Sequence, residues 1–198
     1  MTQVSISALV TEAQRGKVVS FPTDTVPALA VQPDCSELIF AVKKRSPDKP
    51  LILMGGNPAD LWDFVKGSDT ELAIWQEVAG KYWPGALTLV LPASDRVPEA
   101  MNPTDPTTIG MRVPNSRIAI AILSQTGPLA TTSANLSGKP PLETLDEIEA
   151  EFPEVLTLHP NELEKFPSVT TGIPSTVAKW RGKGWEILRQ GGVILNPG

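Results

Sequence analysis

The sequence predicts an α/β fold built on a twisted, open and mixed β-sheet. Short apolar runs of strand length alternate along the chain with segments whose apolar residues recur at helical spacing. A late pair of strands, 176–180 and 185–188, flanks a turn with two glycines and predicts a hairpin. Neither an internal repeat nor a low-complexity linker interrupts the alternation, so residues 1–198 are expected to form a single domain.

The remaining strands are predicted from apolar runs that end at proline, glycine or polar residues. The first run carries Val18, Val19 and Phe21 and stops at Pro22, which cannot donate a ladder hydrogen bond. Five strands are predicted before the hairpin, at residues 18–21, 51–54, 86–91, 108–113 and 129–132. Their alternation with helices favours one mixed sheet.

The helices are predicted from apolar spacing and from the residues at their ends. Asp34 with Glu37 resembles a capping box at the start of a helix. The same helix is predicted to end at Lys43, Lys44 and Arg45, because cations suit the negative C-terminal end of a helix dipole. Two further helices are predicted from apolar spacing, at residues 5–15 and 118–123. Two more are predicted to begin at capping boxes, one of Ser68 with Glu71 and one of Thr144 with Glu147.

Composition and charge exclude several classes of protein. The net charge of -5 argues against a broad nucleic-acid-binding face, which is usually basic. With Cys35 and His159 as the only residues of their types, the chain cannot build a disulfide framework, a Cys-rich zinc site or an evident catalytic triad. No apolar run approaches the roughly 20 residues of a membrane span, and no signal peptide is recognised, so a cytoplasmic protein is expected.

Hydroxyl, amide and cationic side chains recur next to the predicted strands, where ligands bind in open α/β sheets. They are Thr23, Thr25, Lys43, Arg45, Lys49, Thr108, Arg112, Ser133, Asn135, Ser175 and Arg189. Since the chain has neither a P-loop nor a GxGxxG fingerprint, a nucleoside triphosphate would be held by cations from separate segments. Ordinary structural explanations also remain open: the lysines suit a solvated helix end, and Arg112 suits an ion pair with Asp24 or Asp105.

Together with their neighbours, these residues resemble the motifs of the YrdC/Sua5 threonylcarbamoyl-adenylate synthase family. The family's Lys-x-Arg pair is matched by Lys43 and Arg45, and its Ser-x-Asn motif by Ser133 and Asn135. Further motifs follow in the expected order, at residues 49–51, 83–88, 112–114, 175–177 and 189–191. The resemblance runs from about residue 4 to residue 192, which is nearly the whole chain.

The resemblance implies a YrdC-like fold, also described as DHBP synthase-like, with a deep and basic concave ligand face. It implies a nucleotidyltransferase that forms threonylcarbamoyl-AMP and pyrophosphate from L-threonine, bicarbonate or CO2, and ATP, with Mg²⁺ assisting. The product would serve the N6-threonylcarbamoyladenosine modification of tRNA through a downstream threonylcarbamoyl transferase complex. The chain resembles the short, single-domain form of the family.

The resemblance also implies roles for individual residues. The catalytic set would be Lys43, Arg45, Ser133 and Asn135. The ATP-binding set would be those four residues together with Lys49, Thr108 and Arg189. The threonine-binding set would be Thr23, Thr25, Arg112 and Ser175. The resemblance implies no metal-ligating side chains.

One motif departs from the family pattern and leaves two alternatives open. Where the family usually continues Thr-Val-Tyr-Gly-Leu, this chain has Pro27 and Ala28 in place of the tyrosine and glycine, which changes the wall of the substrate pocket. The first alternative is therefore a divergent YrdC/YciO-like paralogue that acts on another small molecule. The second is a module that binds double-stranded RNA or tRNA in the same concavity without catalysis.

Overall fold

Eight of the described strands form one mixed, twisted sheet, and two short strands form a separate parallel pair. The computed structural model describes residues 2–44, 46, 49–167 and 170–195. The strands are β1 (Gln3–Val4), β2 (Val19–Phe21), β3 (Ala28–Val31), β4 (Ile52–Met54), β5 (Leu87–Pro92), β6 (Thr108–Arg112), β7 (Leu129–Ser133), β8 (Thr157–Leu158), β9 (Thr176–Trp180) and β10 (Trp185–Arg189). The helices are α1 (Ile6–Gln14), α2 (Glu37–Lys43), α3 (Asp69–Tyr82), α4 (Arg117–Thr126), α5 (Leu145–Glu151) and α6 (Pro160–Glu164).

The large sheet has the strand order β10-β9-β5-β6-β4-β7-β3-β2. β4 pairs in parallel with β6, and β5 with β9, whereas the other neighbours are antiparallel. Ile52 on β4 lies opposite both Gly110 on β6 and Thr131 on β7, so these three residues share one row across the sheet. This mixed sheet confirms the predicted fold class.

Three predicted features with a local sequence signal are confirmed. Both later capping boxes are present: Ser68 and Glu71 bond reciprocally at the start of α3, and Thr144 and Glu147 do the same at α5. The predicted hairpin is β9 and β10, closed by a 2.9 Å bond from the nitrogen of Arg181 to the oxygen of Gly184. In each case the two partners are at most five residues apart, so neighbouring residues determine the geometry.

The short elements β1, β8 and α6 were not predicted, and two further features differ from the sequence-based predictions. β3 was not predicted, because it is a four-residue run directly after Pro27; it is fully buried and pairs with β2 on one side and β7 on the other. The predicted capping box of Asp34 with Glu37 is wrong. Pro33–Cys35 forms a 3₁₀ turn with proline as its first residue, and Ser36 is the N-cap of α2 without a side-chain cap bond.

Two apolar clusters cover the sheet and leave part of one face open. Leu53 and Met54 are adjacent on β4, so their side chains point to opposite faces. Leu53 belongs to a cluster with Ile39 of α2 and Trp75 of α3, whereas Met54 packs in a second cluster with residues of α1 and α4. Met54 also lines a cavity, which therefore lies on the α1 and α4 face, beyond the part that these helices cover.

Within the described residues, every helix is too short or too polar to cross a membrane. The organisation of residues 1–198 as a single domain stays a prediction.

Candidate active site

A cavity of about 580 Å³ opens on this uncovered part of the sheet. Its floor includes Val90, Gly110 and Ile52, which are neighbours on β5, β6 and β4. A Cβ atom at Gly110 would lie 2.9 Å from Ile52 Cγ2, so a side chain at this position would have to displace its neighbour. Polar residues around this apolar floor form one group around Arg112, another around Asn135 and a third around Asp105.

Arg112 is the centre of the first group. Its side chain is 4% exposed, with Nη2 2.6 Å from Asp24 Oδ1, Nη1 2.8 Å from Thr25 Oγ1, and Nε 3.0 Å from the oxygen of Gly85. Burial lowers the pKa of Arg112, and the Asp24 carboxylate opposes that shift. The ion pair considered from the sequence is present, and its partner is Asp24. Arg112 also lines the cavity, and two of its five N–H groups have no hydrogen-bond partner among the described residues.

Thr23 and Thr25 are buried and already bonded to the protein. Thr23 Oγ1 donates to the oxygen of Val26 at 2.7 Å, so the 3.1 Å contact between the two threonine hydroxyls uses the Thr25 proton. Thr25 Oγ1 also accepts a bond from Arg112 and has one acceptor position left. The two threonines therefore orient Arg112 and offer a ligand an acceptor rather than a proton.

Arg189 is bonded to Ser175 at another part of the cavity wall. Arg189 Nη2 lies 2.8 Å from the oxygen of Ser175 and 3.2 Å from its Oγ, and Ser175 Oγ lies 2.8 Å from Thr88 Oγ1. Partial burial lowers the pKa of Arg189. Its positive charge also contributes to the lowered pKa of Arg112, so the two guanidinium groups are electrostatically coupled. An anion bound between them would be stabilised by both.

Asn135 holds the second group together. Its Oδ1 accepts from Ser133 Oγ at 2.5 Å and from Lys43 Nζ at 3.2 Å. Its Nδ2 donates to the oxygens of Leu136 and Lys139 at 2.8 and 2.6 Å. These four bonds organise the loop 133–139 around one amide, with Lys139 at the edge of the cavity.

The expectation that Lys43 lies at a solvated helix end is wrong. Lys43 is the last residue of α2, but its side chain is 0% exposed and is not among the described residues that line the cavity. Its Nζ donates to the oxygen of Ser133 as well as to Asn135 Oδ1. A buried ammonium is tolerated where it is well hydrogen-bonded. Here its bonds hold the loop 133–139 against the end of α2.

The three remaining predicted residues differ in position. Thr108 lines the cavity and donates to Asp105 Oδ2 at 3.1 Å. Lys49 is exposed, donates to Ser137 Oγ at 3.2 Å, and is not among the described lining residues. Arg45 lies outside the described residues.

Sequence reasoning missed three charged residues of the cavity, namely Asp105, Lys139 and Lys179. Lys139 directly follows the continuous run 132–138 that contains the matched Ser-x-Asn motif, so its position could have been included in that motif. Lys179 Nζ lies 3.2 Å from Asp105 Oδ2, although the two residues are 74 positions apart in the chain. No local pattern connects such a pair, which only the order of the strands brings together.

The described residues include no group of three or more His, Cys, Asp or Glu side chains that could hold a metal ion. Asp105 is the one carboxylate among the described lining residues, and both of its oxygens accept hydrogen bonds from protein groups. Mg²⁺ usually keeps several waters and binds substrate phosphates together with one or two carboxylates. This cavity therefore fits a metal ion that arrives with phosphate groups better than one held by the protein alone.

Comparisons with known proteins place the chain near enzymes of one family. The family model described as Telomere recombination, for Sua5, YciO and YrdC proteins, matches residues 12–191. The threonylcarbamoyl-AMP synthase of Escherichia coli K12 is 31% identical over 163 residues, which is 80% of this chain and 84% of that protein.

Two solved structures share this fold, one from a longer chain and one from a chain of similar length. The crystal structure of P. abyssi Sua5 complexed with L-threonine matches with a TM-score of 0.80 and 29% identity, over 96% of this chain and 56% of that chain. This chain therefore spans little more than half of the Sua5 protein. E. coli YciO matches with a TM-score of 0.75 over 94% of this chain and 88% of that chain, and at 23% identity the likeness concerns the fold alone.

Proposed function

Because the chain belongs to the Sua5/YciO/YrdC family, we propose that it is an enzyme that forms threonylcarbamoyl-AMP and pyrophosphate from L-threonine, bicarbonate or CO2, and ATP. The observation that carries this proposal is that one cavity holds two separate polar groups, around Arg112 and around Asn135, beside an apolar floor. One group is suited to a small carboxylate and the other to a phosphate chain. The reaction class is accordingly nucleotidyl transfer.

The Arg112 group is the proposed threonine end. The two N–H groups of Arg112 without described partners can bind a carboxylate, and such charge-assisted bonds are stronger than neutral ones. Thr25 Oγ1 has an acceptor position that suits a donor of the amino acid, and Ser175 also lines the cavity. Thr23 contributes indirectly by orienting Thr25.

The loop 133–139 is the proposed nucleotide end. Ser133 and Lys139 line the cavity there, and Asn135 and the buried Lys43 keep the loop in place. Arg189 lines the cavity, is bonded to Ser175 and is electrostatically coupled to Arg112. We assign it to the α-phosphate, at which the two substrates must meet. Arg45, Lys49 and Thr108 remain proposed ATP contacts from the family resemblance.

The proposed reaction needs no nucleophile from the protein. The neutral amine of threonine adds to CO2, forming an N–C bond and losing a proton, to give a carbamate. A carbamate oxygen then attacks the α-phosphorus of ATP, the bond to the β-phosphate breaks, and pyrophosphate leaves. Positioning by Arg112 and charge stabilisation by Arg189 would supply the catalysis. Mg²⁺ bound to the phosphates would neutralise part of their charge.

The test is pyrophosphate release by the purified protein with ATP, bicarbonate and each amino acid in turn. We expect release to require both L-threonine and bicarbonate, with threonylcarbamoyl-AMP detected by mass spectrometry. Pyrophosphate release without bicarbonate would contradict the proposal. So would a result in which none of the amino acids supports release.

A different amino-acid specificity is the second candidate, and one observation favours it. Pro27 and Ala28, the residues that depart from the family motif, line the cavity. Ala28 lies opposite Ser133 in the sheet, and the oxygen of Pro27 accepts from the nitrogen of Ala134 at 2.8 Å. This segment therefore contacts the proposed nucleotide end as well. Faster release with another amino acid in the same panel would favour the paralogue.

A role in tRNA modification, transfer to a threonylcarbamoyl transferase complex and a cytoplasmic location follow from this proposal. The net charge of -5 argues against direct binding of tRNA or double-stranded RNA. A salt titration of RNA binding tests it, because contacts with phosphates weaken steeply as salt rises.

Replacing Asn135 by alanine is expected to lower the free energy of unfolding by roughly 2–4 kcal/mol, because several buried groups lose their partner. We expect kcat/KM for ATP to fall more than tenfold, since the loop 133–139 would no longer be held together. Thermal unfolding and pyrophosphate release measure the two effects. Asn57→Ala is the matched control, because Asn57 caps an exposed 3₁₀ turn. Equal activity losses in both variants would contradict the role of Asn135.

A further inference from the structure

We propose that Asp105 and Lys179 form a ribose-recognition subsite, in which the Asp105 carboxylate accepts a hydrogen bond from a ribose hydroxyl of the nucleotide. This inference rests on the proposed function and says which part of the nucleotide is recognised by the cavity wall that carries Asp105 and Lys179. Both side chains line the cavity, and neither belongs to the residues that the family resemblance assigns.

The first argument is the hydrogen bonding of Asp105. Its Oδ2 accepts from Lys179 Nζ at 3.2 Å and from Thr108 Oγ1 at 3.1 Å, and its Oδ1 accepts from Thr107 Oγ1 at 2.5 Å. An ionised carboxylate has about four acceptor positions, so one remains on Oδ1. The side chain is 41% exposed and lines the cavity.

The second argument is charge. The hydrogen bonds from Thr107, Lys179 and Thr108 lower the pKa of Asp105, which is therefore negatively charged at neutral pH. The ammonium of Lys179 balances this charge at 3.2 Å, so the pair has no net positive charge to attract a phosphate and suits neutral hydrogen-bonding groups. This wall of the cavity consequently suits the uncharged part of a nucleotide, while the phosphates suit Lys139 and Arg189.

The third argument is distance. Gly110 and Thr131 both lie opposite Ile52, so they are two strand spacings apart, or about 10 Å. Thr108 and Ser133 lie two residues further along their strands in the same direction. Asp105 is bonded to Thr108, so it stands across the apolar floor from the loop proposed to hold the phosphates. A single nucleotide can therefore contact both walls.

The fourth argument separates a ribose hydroxyl from the amino group of adenine. A hydroxyl both donates and accepts, whereas that amino group only donates. Asp105 offers an acceptor, and Lys179 Nζ, bonded to it at 3.2 Å, carries three N–H donors, so the pair offers a donor beside the acceptor. This combination matches a hydroxyl group.

The experiment compares ATP with 2′-deoxy-ATP and 3′-deoxy-ATP in pyrophosphate release, and the three corresponding monophosphates in calorimetric binding. We expect the wild-type protein to prefer the ribonucleotide over one deoxy form by about tenfold or more, as for loss of a charge-assisted hydrogen bond. Asp105→Ala should reduce that preference to less than about threefold. Purine riboside monophosphate, which lacks the amino group, should bind as AMP does.

The control is Glu186→Ala, which removes the carboxylate of the exposed Arg181–Glu186 pair on the same hairpin and should keep the wild-type preference. Lys179→Met is the second variant, and it should also weaken the preference for the ribonucleotide. It serves as the test if Asp105→Ala does not fold. A wild-type preference in both folded variants would overturn the subsite, as would discrimination against purine riboside monophosphate instead. Monophosphate binding without threonine-dependent release would contradict the proposed reaction and leave the subsite standing.

Discussion

Lys43→Ala is expected to reduce ATP-dependent turnover by at least a hundredfold and to lower the free energy of unfolding by roughly 2–5 kcal/mol, the range for truncating a large buried side chain. The activity would fall because the oxygen of Ser133 and Asn135 Oδ1 both lose the ammonium that donates to them. The stability would fall because the side chain is fully buried and its removal leaves a cavity. Pyrophosphate release and thermal unfolding measure the two effects separately.

Lys43→Met separates the charge from the packing. It keeps most of the buried volume, and the cost of losing the hydrogen bonds is offset in part because a buried ammonium is no longer desolvated. We therefore expect an unfolding free energy closer to wild type than that of Lys43→Ala, with a similar loss of turnover. Lys81→Met is the surface control, since Lys81 pairs with Glu77 on the exposed side of α3. Wild-type turnover in Lys43→Met would show that the ammonium is not needed.

Arg112→Met is expected to lower the free energy of unfolding by about 3–5 kcal/mol, because it leaves the Asp24 carboxylate buried without its partner. For a chain of this length, that corresponds to a fall in melting temperature of roughly 6–20 °C. Arg112→Lys should also be destabilising, since one ammonium cannot reproduce the planar fork that contacts Asp24, Thr25 and Gly85.

The double variant Arg112→Met with Asp24→Asn distinguishes a structural role from threonine binding. The neutral amide should restore part of the stability, because it removes the unpaired buried charge. It should not restore threonine binding if Arg112 also holds the substrate carboxylate. A threonine KM that recovers together with the melting temperature would assign Arg112 to the fold alone. In Arg112→Lys, we expect the threonine KM to rise more than the ATP KM.

What the sequence determined by itself was local or carried by a motif. Reciprocal bonds of Ser68 with Glu71 and of Thr144 with Glu147 span three residues, so the two capping boxes could be predicted from neighbours. The hairpin of β9 and β10 was predictable for the same reason. The family resemblance selected Ser133 and Asn135, which both line the cavity, because they stand in one continuous run.

Only the tertiary structure decided which of these groups meet and which are buried. Burial of Lys43 depends on the loop about 90 positions away, and the pair of Arg112 with Asp24 joins residues 88 positions apart. Asp105 and Lys179 meet because the strand order places β9, β5 and β6 side by side. Periodicity along the chain reports which face of an element is apolar, but it carries no information on strand order. Contacts between distant strands, and the burial that results, therefore follow from the assembled sheet.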